Sequence, residues 1–177
     1  LVLLVYVGKP KITKSKPQVF GALSYAATVL CFVIANKLTT SANAILLQYT
    51  APIFVAILGF WILKEKIHWY DIISIVFVFL GMLLFFISNV SKGNIIGNLV
   101  AIVSGFSLAC VTISLKMQQN TSGIETTLLG NILTFIVSIP FIFMGLPDLK
   151  SIMIIVIMGV FQLGIAYIFY INSMKYL

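Results

Sequence analysis

Charged residues are scarce in this 177-residue chain. Only 8% of its residues are charged, whereas a soluble domain carries about 25%. It contains four acidic residues, no arginine, eleven lysines, one histidine and two cysteines, while hydrophobic residues make up 61%. This composition excludes an ordinary soluble domain and indicates that lipid surrounds the fold.

The few charges lie in short breaks between long apolar runs. Six runs contain no charged residue: 18–36, 38–63, 72–91, 93–115, 126–147 and 151–174. A helix needs roughly 20 apolar residues to cross the hydrocarbon core, and each run is long enough. The sequence therefore predicts an all-α fold, a polytopic transmembrane helix bundle in a lipid bilayer.

The same scarcity excludes several function classes. The net charge of +7 does not indicate a nucleic-acid partner, because the lysines lie at membrane edges and form no groove-lining patch. Cys31 and Cys110 both fall within predicted spans, and we expect packing residues there, with no metal and no cofactor. Intramembrane catalysis needs a nucleophile with its base, paired aspartates or a metal site. None is visible, so we expect that the protein is not an enzyme.

Lysine placement predicts the orientation of the six spans. Excess lysine in short loops marks the cytoplasmic side of a membrane. Alternating from the first loop, one side receives lysines 9, 11, 14, 16, 64, 66, 116 and 175, and the other receives lysines 37, 92 and 150. The eight-to-three division fits six crossings, and the lysine-only basic residues are typical of AT-rich bacterial coding.

The chain also contains a weak internal repeat. A shift of 138 residues places 20–39 over 158–177, with Gly21 on Gly159 and Lys37 on Lys175. Five spans separate the copies, so the two lysines lie on opposite sides of the membrane. Inverted repeats of this kind are common in secondary transporters.

The chain contains, in this order, FVIANKLTTSANA (32–44), Pro52 followed by Glu65, Gly81, and GNLVAIVSGFSLA (97–109). Together these patterns resemble the EamA-type members of the drug/metabolite transporter superfamily. FVIANKLTTSANA (32–44) is similar to the end of that family's third helix and the following turn. Pro52 and Glu65 resemble the fourth-helix proline and terminal glutamate, and Gly81 resembles the fifth-helix glycine. GNLVAIVSGFSLA (97–109) is similar to the opening of the second repeat.

Three positions depart from the family pattern. Asn98 stands where aspartate is usual, Ser74 where glycine is usual and Leu108 where tryptophan is common. These departures affect the choice of solute more than family membership.

The resemblance implies ten spans in two five-helix repeats of opposite orientation. Residues 1–91 are then the C-terminal part of the first repeat, and residues 92–177 are the N-terminal part of the second. The chain is expected to run from the end of helix two to helix eight, truncated at both ends. The implied function is alternating-access transport of a small organic solute, as in metabolite or drug exporters, in a bacterial plasma membrane.

Polar residues within the spans are the candidates for the solute path. Ser24 and Thr28 share a helical face, and their simpler interpretation is helix–helix packing. Pro52 has no N–H, so the carbonyl of Gln48 loses its helical partner near the middle of a 26-residue run. Transporters place such broken backbone along cavities, although a neighbouring helix can also satisfy it.

Further candidates depend more on the resemblance. In the family, helices three, four, six and eight line the path, so Gln48 and Gln162 are expected to face it. Tyr49 and Tyr167 are weaker candidates, and Asn131 is expected to be peripheral.

The charged residues at the span ends have simple interpretations. Glu65 is either an exposed interfacial charge or, by the resemblance, a gate or structural latch. We expect Asp71, Glu125 and Asp148 to be ordinary loop or helix-start charges.

No titratable acid, lysine or histidine lies inside the six charge-free runs. This absence favours a neutral or zwitterionic solute bound through hydrogen bonds and aromatic contacts. The alternative function is a non-transporting membrane scaffold, or a subunit of a larger membrane complex. The sequence leaves open the solute, the direction, the coupling ion and the choice between monomer and homodimer.

Overall fold

The computed structural model describes residues 15–66, 68–89, 94–118, 123–142, 148–166, 169 and 173, without the side chains of 85–89, 142 and 162–164. The described residues are helical apart from short turns, and none of them forms a strand. The helices are α1 (Lys16–Leu38), α2 (Ser41–Gln48), α3 (Ala51–Leu58), α4 (Trp69–Asn89), α5 (Ile95–Lys116), α6 (Gly123–Ile142) and α7 (Leu149–Met158). In the part of the chain that the structure describes, the π-helical segments Gly59–Leu63 and Gly159–Ile165 continue α3 and α7.

The helices coincide with the six charge-free runs. Among the described residues, four stretches are long and apolar enough to cross a bilayer: Lys16–Leu38, Ser41–Leu63, Ile95–Lys116 and Gly123–Phe141. Trp69–Leu84 and Leu149–Phe161 are shorter apolar helices. The predicted all-α transmembrane helix bundle is therefore confirmed, and the protein is a multi-pass membrane protein. The inverted arrangement of repeats 1–91 and 92–177 remains a prediction.

Local chemistry fixes where several helices begin. The hydroxyl of Thr40 accepts a 3.2 Å bond from the N–H of Asn43 and caps α2. At α4, the carboxylate of Asp71 accepts a 2.8 Å bond from the N–H of His68, which satisfies a donor at the helix start. The prediction that Asp71 is a helix-start charge agrees with this contact.

The described residues form two compact units: a central unit (residues 27–113) and a terminal unit (residues 1–26 and 114–177). Small residues on α5 dominate the packing of the central unit. Gly97, Ala101, Gly105 and Ala109 are all buried and recur every four residues, so they share one face. The core of this unit also contains Ala35, Ala44, Leu47 and Met82.

The backbones in the central unit approach closely at these small residues. A Cβ on Gly97 would lie 2.8 Å from the carbonyl carbon of Leu38 and from the nitrogen of Thr39. Small residues allow such approach between helices in membranes, so the α1–α2 turn packs directly on α5. The hydroxyl of Thr39 donates a 2.8 Å bond to Oδ1 of Asn98 at the same place.

The terminal unit packs differently, around buried polar residues and an aromatic ring. A Cβ on Gly130 would lie 2.6 to 2.8 Å from atoms of Tyr25, so the tyrosine ring lies directly on α6. The Tyr25 hydroxyl is 3.5 Å from Oδ1 of Asn131, whose amide nitrogen donates a 2.8 Å bond to the carbonyl of Thr127. Asn131 therefore takes part in helix packing in this unit.

Candidate functional site

One span of the central unit is interrupted near its middle. The stretch Ser41–Leu63 has the length of one membrane crossing, but α2 ends at Gln48, Tyr49 and Thr50 form a turn, and α3 begins at Ala51. Pro52 lies in the first turn of α3, where a missing N–H is tolerated. The break expected from proline chemistry is therefore present.

A chain of hydrogen bonds joins the broken span to two other helices. The Gln48 side-chain amide donates a 2.9 Å bond to the hydroxyl of Ser104 on α5. Ser104, itself fully buried, donates a 2.9 Å bond to the backbone carbonyl of Thr28 on α1. Ser104 thus bonds to both Gln48 and Thr28 across the helices. We call these three residues the Gln48–Ser104–Thr28 bridge.

The backbone at the break also lies against α5. A Cβ on Gly105 would lie 2.9 Å from the carbonyl oxygen of Gln48 and 2.9 Å from the hydroxyl of Thr50. The Thr50 hydroxyl donates a 2.7 Å bond to the carbonyl of Leu47. Phe54 and Phe106 pack edge-to-face beside this contact, with ring centroids 5.4 Å apart.

The other predicted path residues differ in burial and in the compact unit to which they belong. Tyr49 is 60% exposed and Pro52 is exposed, so both lie at the surface of the central unit. Ser24 is buried, but it belongs to the terminal unit. The backbone of Gln162 lies in the π-helical segment Gly159–Ile165, its side chain lies outside the described part, and Tyr167 lies outside the described residues.

Glu65 is exposed and follows a left-handed residue. Lys64 ends the π-helical segment with φ 56°. The Glu65 N–H then donates a 3.2 Å bond to the carbonyl of Gly59. A Cβ on Gly59 would lie 3.2 Å from a carboxylate oxygen of Glu65, so this carboxylate is folded back towards its own helix.

Glu125 is a helix-start charge, as predicted, but its burial shows that it is not an ordinary one. It does lie in the first turn of α6, but it is only 3% exposed, and its carboxylate accepts a 2.8 Å bond from Gln18. The apolar stretch that contains it begins at Gly123 rather than at Thr126. The charge-free run begins after Glu125, whereas the helix begins before it. The buried amide of Gln18 on α1 compensates the carboxylate at this position.

Glu125 belongs to a larger group of buried polar residues in the terminal unit. Thr126 donates a 2.8 Å bond to Oε1 of Gln118, whose amide nitrogen donates a 2.9 Å bond to the carbonyl of Ser114. We call this group the polar junction; its members are Gln18, Ser114, Gln118, Glu125 and Thr126, each at most 5% exposed.

Ser104, Gly105 and the polar junction were not predicted as site residues. Serines recur on α5 at positions 104, 107 and 114, and spacing alone does not single out the one that meets Gln48. Among the described residues there is no group of three His, Cys, Asp or Glu side chains that could hold a metal ion.

Comparison with known proteins agrees with the pattern of motifs. Residues 1–87 match the EamA-like transporter family. The uncharacterized transporter YxxF of Bacillus subtilis (strain 168) is 30% identical over 148 residues, which cover 78% of this chain and 47% of that protein. The chain spans about half the length of this curated relative, and no solved structure matches it. The matched segment, residues 1–87, makes up about half of the chain and is similar to the EamA-like transporter family.

Proposed function

We propose that this chain is part of a transporter that carries a small organic solute across a bacterial plasma membrane by alternating access. The similarity of residues 1–87 to the EamA-like transporter family and the Bacillus relative support membrane transport. The observation that carries the proposal further is the interruption of one span between Gln48 and Ala51. Interrupted helices near the middle of the bilayer form solute sites in many transporters.

The polar groups at the break suit a neutral or zwitterionic solute. A primary amide has two N–H donors and an oxygen acceptor, and the bond to Ser104 uses one donor of Gln48. We propose that the rest of the amide contacts the solute. Tyr49 adds an aromatic ring and a hydroxyl at the surface of the same turn.

Glu65 suits a structural role at the end of the broken span better than a charge that moves. Its backbone N–H donates a bond to the carbonyl of Gly59, and this bond closes the end of the π-helical segment. We propose that Glu65 holds the C-terminal end of this span in place, so that the span bends at the break between Gln48 and Ala51.

Transport is tested with the full-length protein in proteoliposomes, by counterflow of labelled zwitterionic amino acids and neutral nucleosides. We expect one of these classes to exchange, and Gln48→Ala to raise the KM for it about two- to tenfold, because one hydrogen bond to a neutral group is lost. Ser74→Ala is the matched control, since this exposed hydroxyl bonds only its own helix in the described contacts, at the carbonyl of Tyr70.

A second measurement distinguishes a transporter from a scaffold. In a background without Cys31 and Cys110, a cysteine replacing Tyr49 is labelled by a water-soluble maleimide from one side of the membrane. Protection of this cysteine by the exchanged solute supports the path. An absence of exchange for every class, with labelling indifferent to solute, favours the scaffold.

A further inference from the structure

The polar junction is unusual because it buries a carboxylate. Leaving a charge without compensation in an apolar environment is very costly. Glu125 is compensated by the amide of Gln18 at 2.8 Å and by its position in the first turn of α6, where backbone N–H groups and the helix dipole favour an anion. Its burial therefore depends on α1 staying in place.

The junction is also closely packed where the three helices meet. A Cβ on Gly21 of α1 would lie 2.6 Å from Cγ2 of Thr126 on α6 and 2.9 Å from Cβ of Ser114 on α5. The absence of a side chain at Gly21 thus lets α1 seat against both helices, which shields the carboxylate from water.

A packed junction that contains a charged side chain differs from an apolar one, because water solvates the charge when the helices separate. Separation of α1 from α6 would lose the Gln18 bond, but it would expose Glu125 to water, which solvates a carboxylate well. In the closed junction, the charge-assisted bond and the N-terminus of α6 must therefore more than offset the cost of dehydrating the carboxylate. The other charged groups on the contributing parts of α1 and α5 are Lys16, which is exposed, and Lys116, which is partly buried.

We propose that the polar junction is a latch that opens and closes in the working protein, and that the Gln18–Glu125 bond holds its closed state. The latch is a conformational device of the terminal unit. The opening of the latch is measured without any solute, so its test is independent of the proposed solute path.

The test uses the full-length protein with Cys31 and Cys110 replaced by alanine and Ser114→Cys as the reporter. Ser114 is 1% exposed in the closed junction, so a water-soluble maleimide reaches the reporter only after opening. Glu125→Gln keeps the shape but removes the charge. We expect it to raise the labelling rate about tenfold. Loss of the charge weakens the bond enough to raise the equilibrium constant for opening by about that factor. Gln18→Ala is expected to act in the same direction.

The exchange of partners provides the stringent control. Gln18→Glu combined with Glu125→Gln restores a charged pair across the same contact, and we expect labelling within about twofold of the parent rate. Asp148→Asn removes an exposed acid of the same unit and should leave the rate unchanged. Gel filtration and thermal melting verify that each variant folds, and Gln18→Ala decides the matter if Glu125→Gln does not fold.

Two results would overturn the latch. Labelling of Glu125→Gln and Gln18→Ala at the parent rate would show that the junction is static packing. Fast labelling of Glu125→Gln that the exchanged pair fails to restore would show that the carboxylate acts through another partner.

Discussion

Gly105 faces the carbonyl oxygen of Gln48 so closely that a Cβ at position 105 would lie 2.9 Å from that oxygen. This relationship joins the two features that define the central unit, namely the small-residue face of α5 and the interrupted span. A helix break exposes polar backbone, which must be satisfied or covered within a membrane. The glycine lets α5 cover the break directly, without a side chain between the two backbones.

Replacement of Gly105 by alanine should therefore destabilise the protein. The added methyl meets a backbone oxygen and the Thr50 hydroxyl rather than the flexible end of a side chain. We expect the free energy of unfolding to fall by about 1–3 kcal/mol, the usual cost of overpacking. Reversible unfolding of the detergent-solubilised full-length protein by SDS measures this change.

Gly81 provides a matched control for this substitution. It also lies within a helix, α4, but a Cβ there would meet no atom within 4 Å. Gly81→Ala should leave stability unchanged or raise it by up to about 1 kcal/mol, because alanine is the better helix former. Equal losses in the two variants would refute the close approach at Gly105.

The Gln48–Ser104–Thr28 bridge predicts energetic coupling between Gln48 and Ser104. Gln48→Ala and Ser104→Ala each break the 2.9 Å bond between them, so the double variant should cost less than the sum of the single variants. We expect a coupling energy of about 0.5–1.5 kcal/mol, in the range measured for hydrogen bonds between helices in membranes. A double-mutant cycle on unfolding free energies provides the value, and strict additivity would mean that the bond contributes nothing.

Some of these features follow from local chemistry and could be predicted. The spans followed from the charge-free runs, because lipid tolerates charge poorly and the helices need a fixed length. The break followed from Pro52, because a missing N–H is a property of one residue. The spacing of Gly105 and Ala109, two small residues four apart, is typical of helix packing, but the spacing does not indicate which part of the chain packs there.

Other features depend on contacts between distant parts of the sequence. Gln18 and Glu125 are 107 residues apart, and a count of charge-free residues treats the carboxylate as the end of a span. Its burial is possible only because an amide from another helix reaches it. The left-handed backbone of Lys64 has no composition signal either, since glycine is the residue that usually marks such a position.

Lys64 itself leads to a prediction about the end of the broken span. A left-handed conformation costs a non-glycine residue about 1 kcal/mol, so Lys64→Gly should raise the unfolding free energy by up to that amount. Lys64→Ile should lower it, because a β-branched side chain tolerates φ 56° poorly. The same two changes at Lys66, which does not have positive φ, correct for the lost charge. An identical response at the two positions would argue against the left-handed turn.

Asn98 offers a test of one departure from the family pattern. Its Oδ1 accepts the 2.8 Å bond from the Thr39 hydroxyl, and an aspartate in its place would accept the same bond, with a charge to strengthen it. We therefore expect Asn98→Asp to preserve the thermal stability of the full-length protein at neutral pH. Asn98→Leu should lower the unfolding free energy by about 1 kcal/mol, because it leaves the Thr39 hydroxyl without this acceptor.

Thr39→Val distinguishes this bond from a general effect of polarity at position 98. In that background the hydroxyl is absent, so the difference between Asn98 and Asn98→Leu should shrink by about 0.5–1 kcal/mol. Thermal melting of the four variants gives the comparison. An undiminished difference would mean that Asn98 stabilises the start of α5 on its own, and that the bond to the α1–α2 turn is incidental. A reduced difference would mean that the bond from the Thr39 hydroxyl is what position 98 requires. Asparagine and aspartate both provide the oxygen that accepts this bond.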